Sequence, residues 1–401
     1  MLNGCLNKKI IMPISRLAII ASHPVQYQSP LFRRLIQEYG GCVYYGHLPD
    51  EWLQGEGFGV PFQWDVPLLE GYKYRVFAEE MDGEFRPGAA VRSFFRLRSW
   101  LKAQRPHAIL CTGWYHPSLY IGLAAARLSG VPCLLRCESN LLRLRGAGAR
   151  IFQRLMLRQY AAVLPIGEMN RRYYRHFGVS DSEIFSAPYF VDNARFAAAA
   201  GKADRAALRA RWAIPKKAFC FLFAGKLEEK KHPEAIIEAM AGIPSAHLLI
   251  VGAGPLESSL RTAAAEWKVS CSFTGFLNQT EIPGAYSAAD CLVLPSDSGE
   301  TWGLVVNEAM ACGLPAIVSD RVGCREDLIV EGKTGHSFPF GNVSALASHM
   351  RHFVESPGSS HIAGQEAVRH IANYSLEAAS RGVLAALQNL DAKKGSIPCA
   401  D

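Results

Sequence analysis

Short apolar runs, each followed by a stretch with apolar residues at three-to-four spacing, recur along most of the 401-residue chain. In the first half they are RLAIIAS (16–22), CVYYGHL (42–48), AILCTGW (108–114), CLLRCES (133–139) and AVLPIG (162–167). The pattern restarts with CFLFAGK (220–226), HLLIVGAG (247–254), CSFTGF (271–276), CLVLPS (291–296) and PAIVSD (315–320). A strand that is apolar at nearly every position has no face to give to water, so it must be covered on both sides. The stretches between the runs are long enough to be the covering helices and to carry the chain to a parallel neighbour. The expected fold class is therefore α/β, with two doubly wound parallel sheets, which agrees with a length suited to two domains. The alanine- and charge-rich segment 194–213 is expected to be the crossing between them. Two facing units of this kind leave a cleft bordered by the carboxyl ends of both sheets, where ligands of open α/β sheets bind.

Composition narrows the setting. Hydrophobic residues at 49% and charged residues at 20% are ordinary for a globular protein and argue against disorder. Eleven cysteines are scattered with no CxxC pair and no His/Cys cluster at metal spacing, which points to reduced thiols and a cytoplasmic protein. The opening MLNGCLNKKIIMPISRLAIIAS is broken by Pro13, Ser15 and Arg16, so no cleaved signal is expected. No apolar run is long enough for a transmembrane helix.

The formal charge of +7 is unevenly spread: residues 1–200 hold 24 Lys and Arg against 15 Asp and Glu, the remainder 19 against 21. Between Arg86 and Arg175, 16 basic residues face only Glu138 and Glu168. RSFFRLRSWLKAQRP and RLRGAGARIFQRLMLRQY interleave arginine with apolar residues at helical spacing. Such segments are either solvated helix faces or a surface for anionic lipid headgroups or a phosphorylated acceptor. A nucleic acid partner is not expected, because no nucleic-acid module accompanies the charge.

The densest chemistry lies in SGETWGLVVNEAMACGLP, residues 298–315. CLVLPS reads as a strand, residues 297–302 as the loop leaving its carboxyl end, and 303–312 as a helix stopped at Gly313-Leu314-Pro315. Glu300 then sits in the loop and Glu308 about two turns into the helix. The free N–H groups of Gly303, Leu304 and Val305, with the positive end of the helix dipole, suit a phosphate. Gly303 has no side chain to keep that phosphate away. Carboxylates on either side of a phosphate site make sense as acceptors for hydroxyls, and a nucleotide-sugar has ribose hydroxyls, a diphosphate and a sugar in that order. FAGKLEEKKHP supplies cations: Lys226 follows Gly225 at a strand end, and Lys231 lies five residues on. Two ammonium groups there suit a diphosphate leaving group, although a lysine-rich exposed turn is the plain alternative. IVGAGP (250–255) is a tight strand-to-helix turn, but Glu257 stands where a third glycine would be, so dinucleotide binding is not supported.

In this order, FAGKLEEKKHPEAIIEAM, LLIVGAGPLESSL, FTGF, YSAADCLVLPS and SGETWGLVVNEAMACGLPAIVSD resemble the donor domain of glycosyltransferase family 4, across roughly residues 218–335. The resemblance implies the GT-B fold, two facing Rossmann-like domains. It implies an acceptor-binding unit over 1–197, completed by a C-terminal helix near 374–392, and a donor-binding unit over 198–373. It further implies retaining transfer from a UDP- or GDP-sugar to a hydroxyl acceptor, with no cofactor and no metal; no Asp-x-Asp occurs near a strand end. Glu300 looks like the motif glutamate beside the donor sugar and Glu308 like the one on the ribose. Lys226 stands where the family usually has arginine, and Lys231 matches the usual lysine. Gly225 and the 275–277 loop, including Leu277, complete the donor side.

The first half offers His23 and Gln26 in SHPVQYQSP, His116 in TGWYHPSLY, and Arg136 and Glu138 in LLRCESN, all at strand ends. The implied catalytic set is Glu300, Lys226, Lys231, His116 and Glu138. The implied acceptor is a glycan or a lipid-linked molecule, in polysaccharide, lipopolysaccharide or glycolipid biosynthesis, handled in the cytoplasm or peripherally at the inner membrane face. A nucleotide-sugar epimerase or sugar phosphorylase on the same scaffold, or a non-catalytic carbohydrate-binding protein, are the rival readings.

Overall fold

The computed structural model describes residues 16–77, 87–143 and 145–395. The first unit runs β1 (Leu17–Ala21), α1 (Ser29–Tyr39), β2 (Gly41–Tyr45), α2 (Glu51–Gln54), β3 (Tyr74–Val76), α3 (Pro87–Gln104), β4 (Ala108–Cys111), α4 (Pro117–Arg127), β5 (Cys133–Leu135), α5 (Ala147–Leu157), β6 (Ala162–Val163) and α6 (Glu168–His176). Helices α7 (Asn193–Lys202) and α8 (Arg205–Arg211) lead into the second unit. That unit runs β7 (Phe219–Ala224), α9 (Glu234–Met240), β8 (Ala246–Val251), α10 (Glu257–Glu266), β9 (Cys271–Gly275), α11 (Ile282–Ala288), β10 (Cys291–Leu294), α12 (Leu304–Ala311), β11 (Ala316–Ser319), α13 (Arg325–Leu328), β12 (Gly335–Phe338), α14 (Val343–Glu355) and α15 (Pro357–Ile371). A last helix, α16, spans Leu376–Gly395.

Each sheet has six parallel strands, ordered β3-β2-β1-β4-β5-β6 and β12-β11-β10-β7-β8-β9. The strand order reverses between β1 and β4 in one sheet and between β7 and β10 in the other, and the carboxyl ends beside those reversals are where α/β sheets open a crevice. The apolar runs form the central strands as expected: every residue of β1, β4, β7, β8, β10 and β11 is buried. Of the four edge strands, β6 and β9 come from apolar runs of the sequence, whereas β3 and β12 have no apolar run. Tyr74 and Arg75 are exposed, and β12 is the mixed GHSF, because an edge strand is not enclosed on every side.

Helices α7 and α8 are not a bare crossing. Both pack on α11, and α7 also on α12, with Phe196 and Trp212 in the core around β7 and β10. The expected division at 197/198 falls inside α7. Helix α16 packs back on the first unit, where Ala379, Val383, Ala386 and Leu387 bury against Leu17, Ile19 and the α1 residues Leu31 and Leu35. The chain thus crosses between units twice. The nine cysteines among the described residues are free, and no described helix is long and apolar enough to cross a membrane. Cys5 and Cys399 lie outside the described residues.

Candidate active site

Strand-end loops of the two units meet across the cleft. Glu138, just after β5, accepts hydrogen bonds at Oε1 from Tyr189 and, at 3.4 Å, from Tyr27, while its Oε2 accepts from Thr301 Oγ1 of the second unit at 2.7 Å. Arg143 donates to Ser298 Oγ at 3.2 Å. Phe58 and Phe62 pack on Phe276 with ring centroids 4.9 and 4.2 Å apart. At the base of the cleft, Asp327 accepts the Glu168 backbone N–H at 2.9 Å and so caps α6 from the other unit. Gly167, which precedes that N–H, lies so close that a Cβ would stand 2.3 Å from the Trp302 ring.

Beside these contacts the structure brings together Lys231, at the end of a 3-10 turn (Glu229–Lys231), and Glu300, in the loop after β10. The ammonium and the carboxylate form an ion pair, with side chains 14% and 13% exposed. Gly225 lies beside Lys231. A Cβ there would touch Lys231 Cε at 3.8 Å, while Lys226 turns to the first unit, donates to the Glu56 carbonyl and stands 5.2 Å over the Phe58 ring. Burial lowers the Lys226 pKa, and its cationic neighbours Lys230 and Lys231 act in the same direction.

Gly303 enters α12 with φ 98°, a left-handed conformation that a side chain disfavours. The helix begins at Leu304, so Glu308 lies one turn in, rather than the expected two. Its side chain points inward at 6% exposure, where Tyr286 Oη donates to Oε2 at 2.6 Å. Burial raises the Glu308 pKa, against the pull of Tyr286, Gln279 and the Arg195 charge. Glu308, Leu304 and Gln279 share a cavity of about 220 Å³ with Gln26 and Tyr27 of the first unit. A second cavity of about 440 Å³ holds Glu138, Arg136 and Tyr115 from one side and Ser298, Gly299 and Thr301 from the other. Arg136 is buried, donating to the Ala187 and Pro188 carbonyls with its guanidinium 4.6 Å above the Tyr189 ring. Leu277 has its side chain in the second unit's core, which leaves only its backbone for a ligand.

His23 and His116 join a residue that sequence reading passed over. His47, after β2, lies between them with ring centroids 5.3 Å from each. His116 also caps α4, its Nδ1 accepting from the Ser118 N–H. Burial lowers the pKa of all three, His23 to about 4 with help from the other two rings, so the row is neutral at pH 7. Among the described residues, one group of three His, Cys, Asp or Glu side chains is spaced to share a metal ion: Glu331, His336 and His349, beside the β12 edge, with ligand atoms within 4.8 Å of one another. It includes none of the cleft carboxylates.

Residues 50–189 match the family profile described as a glycosyl transferase 4-like domain, and residues 204–370 match the one described as glycosyl transferases group 1. Together they take in most of both units. The chain belongs to glycosyltransferase family 4. Among its relatives is the sulfoquinovosyl transferase of Arabidopsis thaliana, 33% identical over 40% of this chain and 31% of that protein. A D-inositol 3-phosphate glycosyltransferase of Streptomyces avermitilis is 26% identical over 68% of this chain and 64% of its own length. The chain thus spans about a third to two thirds of the curated relatives it matches. The GT-B fold recurs in a glycosyltransferase from Rickettsia africae, with TM-score 0.75 and 13% identity over 94% of this chain and 98% of that one. It recurs also in the Anabaena protein HepE, solved with UDP and glucose, with TM-score 0.71 and 15% identity over 92% and 98%.

Proposed function

We propose that this family 4 protein transfers a sugar from a nucleotide-diphosphate sugar to a hydroxyl acceptor, with retention at the anomeric carbon, in the synthesis of a polysaccharide, lipopolysaccharide or glycolipid. The observation that carries the proposal is the enclosed Lys231–Glu300 ion pair in the loop that leads into α12, with the carboxylate of Glu308 buried one turn along that helix. In this reading the diphosphate lies between Lys231, Lys226 and the first N–H groups of α12, Glu308 accepts from the ribose hydroxyls, and Glu300 accepts from the sugar. The bond from the anomeric carbon to the phosphate oxygen breaks as the bond to the acceptor oxygen forms on the same face. The acceptor proton passes to the departing phosphate. The lysines and the helix dipole stabilise the charge that builds there, so the step needs no metal ion. UDP is the preferred nucleotide, in line with the UDP complexes of the Anabaena neighbour.

A thermal-shift panel of nucleoside diphosphates, followed by product analysis with the selected nucleotide-sugar, tests this reading. A selective shift by UDP, with release of UDP and a lengthened glycan, is expected. An isomerised nucleotide-sugar or a sugar phosphate would assign the site to an epimerase or a phosphorylase instead. Binding without turnover would leave a carbohydrate-binding protein.

A further inference from the structure

Helices α3, α4 and α5 cover one face of the first sheet, since Leu97 and Leu101 of α3, Leu119 and Leu123 of α4 and Leu157 of α5 enter one core, and α3 packs along α4. Their opposite faces therefore form one outer surface. On α5 that surface is not the polar face of an ordinary surface helix. Leu157 is its one buried residue, while Ile151, Phe152 and Leu155 are 63%, 51% and 52% exposed. On α3, Val91 and Phe95 are exposed beside Arg92 and Arg96. An exposed apolar patch with a polar rim marks an interaction surface. The rim here is strongly cationic: among the described residues, none of Arg145, Arg150, Arg154 and Arg158 has an acidic ion-pair partner, and Glu138 and Glu168 are already engaged by Tyr189 and by Arg171 and Arg172. Two copies pressed together on this face would bring like charges into contact. An anionic lipid surface supplies the opposite charge together with an acyl boundary that receives the apolar side chains.

The surface also leads to the cleft. Phe152 and Gln153 of α5 and Tyr120 of α4 line the 440 Å³ cavity whose other wall holds Glu138 and Thr301. We propose that the outer face of α3, α4 and α5 docks on an anionic bilayer and passes a lipid-linked acceptor, with its headgroup hydroxyl leading, along α5 to Glu138. This rests on the glycosyl-transfer reading and adds the acceptor class.

Full-length protein is sedimented with phosphatidylcholine vesicles and with phosphatidylcholine vesicles containing phosphatidylglycerol, at low and high salt. Binding is expected on the anionic vesicles, weakened by salt and at least about 20-fold lower on the neutral ones. The double variant R150Q/R154Q is expected to lose about 25-fold, roughly 5-fold per arginine. The variant I151S/L155S is expected to lose about 10-fold or more. Both variants avoid the cavity-lining Phe152, and both should keep the wild-type thermal shift with UDP, which shows that they fold and bind donor. Equal binding to both vesicles, no binding, or binding untouched by either variant would overturn the proposal. So would a dimer in light scattering that I151S/L155S dissolves, which would give the face to a second copy. Absence of a UDP shift in the wild-type protein would instead strike the transfer reading.

Discussion

Replacing Glu300 with glutamine is expected to tighten UDP binding while abolishing transfer. The Lys231–Glu300 pair is largely enclosed, so the ammonium that would meet a diphosphate is already held by a carboxylate. At an effective dielectric of about 20 the direct attraction of such a pair is about 4 kcal/mol, and most of it offsets the desolvation of the two charges. A net coupling of about 1–2 kcal/mol remains for UDP to overcome, which corresponds to a 5- to 30-fold penalty on its affinity. Glu300→Gln removes that competitor, so isothermal calorimetry at fixed ionic strength should show UDP binding tightened by about that factor. Turnover of the nucleotide-sugar should fall by roughly 100-fold or more, because the group that accepts from the sugar has lost its charge. Lys231→Ala should weaken UDP, and the double variant should behave like Lys231→Ala alone, since the competition no longer matters once the cation is gone. If Glu300→Gln weakened UDP as much as Lys231→Ala does, Glu300 would be organising the site rather than competing with the ligand, and the reasoning would fail.

Asp327 offers a pH test. Burial pushes its carboxyl up to about 6, so the folded chain holds this proton more tightly than the unfolded one, where it leaves near 3.8. Its contribution to stability is therefore present below about 3.8, is lost as pH rises to about 6 and is flat above; Asp327→Asn should flatten the unfolding midpoint across that window. Gly167→Ala should cost about 1–3 kcal/mol in denaturant unfolding, because its Cβ would collide with Trp302 and Asp327. UDP affinity should fall with it, since the Trp302 indole holds Asn307 of α12 at 2.8 Å. Tyr286→Phe removes the phenol that supports Glu308 and should cost about 1–3 kcal/mol while weakening UDP, read by the same two assays.

Ten of the twelve strands were legible from their sequence runs, which burial on both faces makes apolar in the central strands, and β9 was legible although only partly buried. β3 and β12 were not, since an edge strand can carry Tyr74 and Arg75 in the open. On the donor side, the loop holding Glu300 and the turn holding Lys231 could be placed from strand ends alone, but their mutual pairing is a contact between segments 69 residues apart. The depth of Glu308 was overstated, since the five residues from Gly303 make only about 1.4 turns, and α12 starts one residue later still, at Leu304. Contacts between units left no local mark. Nothing near Glu138 announces Thr301, nothing near Glu168 announces Asp327, and His47 gains meaning only when β2 sets it between His23 and His116. The basic helices were read as either solvated or ligand-facing, and the exposure of Ile151, Phe152 and Leu155, on which the membrane proposal rests, was not legible from the sequence.

The return of α16 to the first unit orders events on the ribosome. The sheet made first emerges with the flank of β1 and α1 uncovered, and the residues that seal it, Ala379 to Leu387, are made only after the whole second unit. The intervening unit is continuous from α7 to α15 and needs nothing made later. At about 5–20 residues per second the earlier sheet waits on the order of 10–40 s for its cover. The half that is translated second is therefore the half that matures first, and the nascent first unit is the one that holding chaperones would meet.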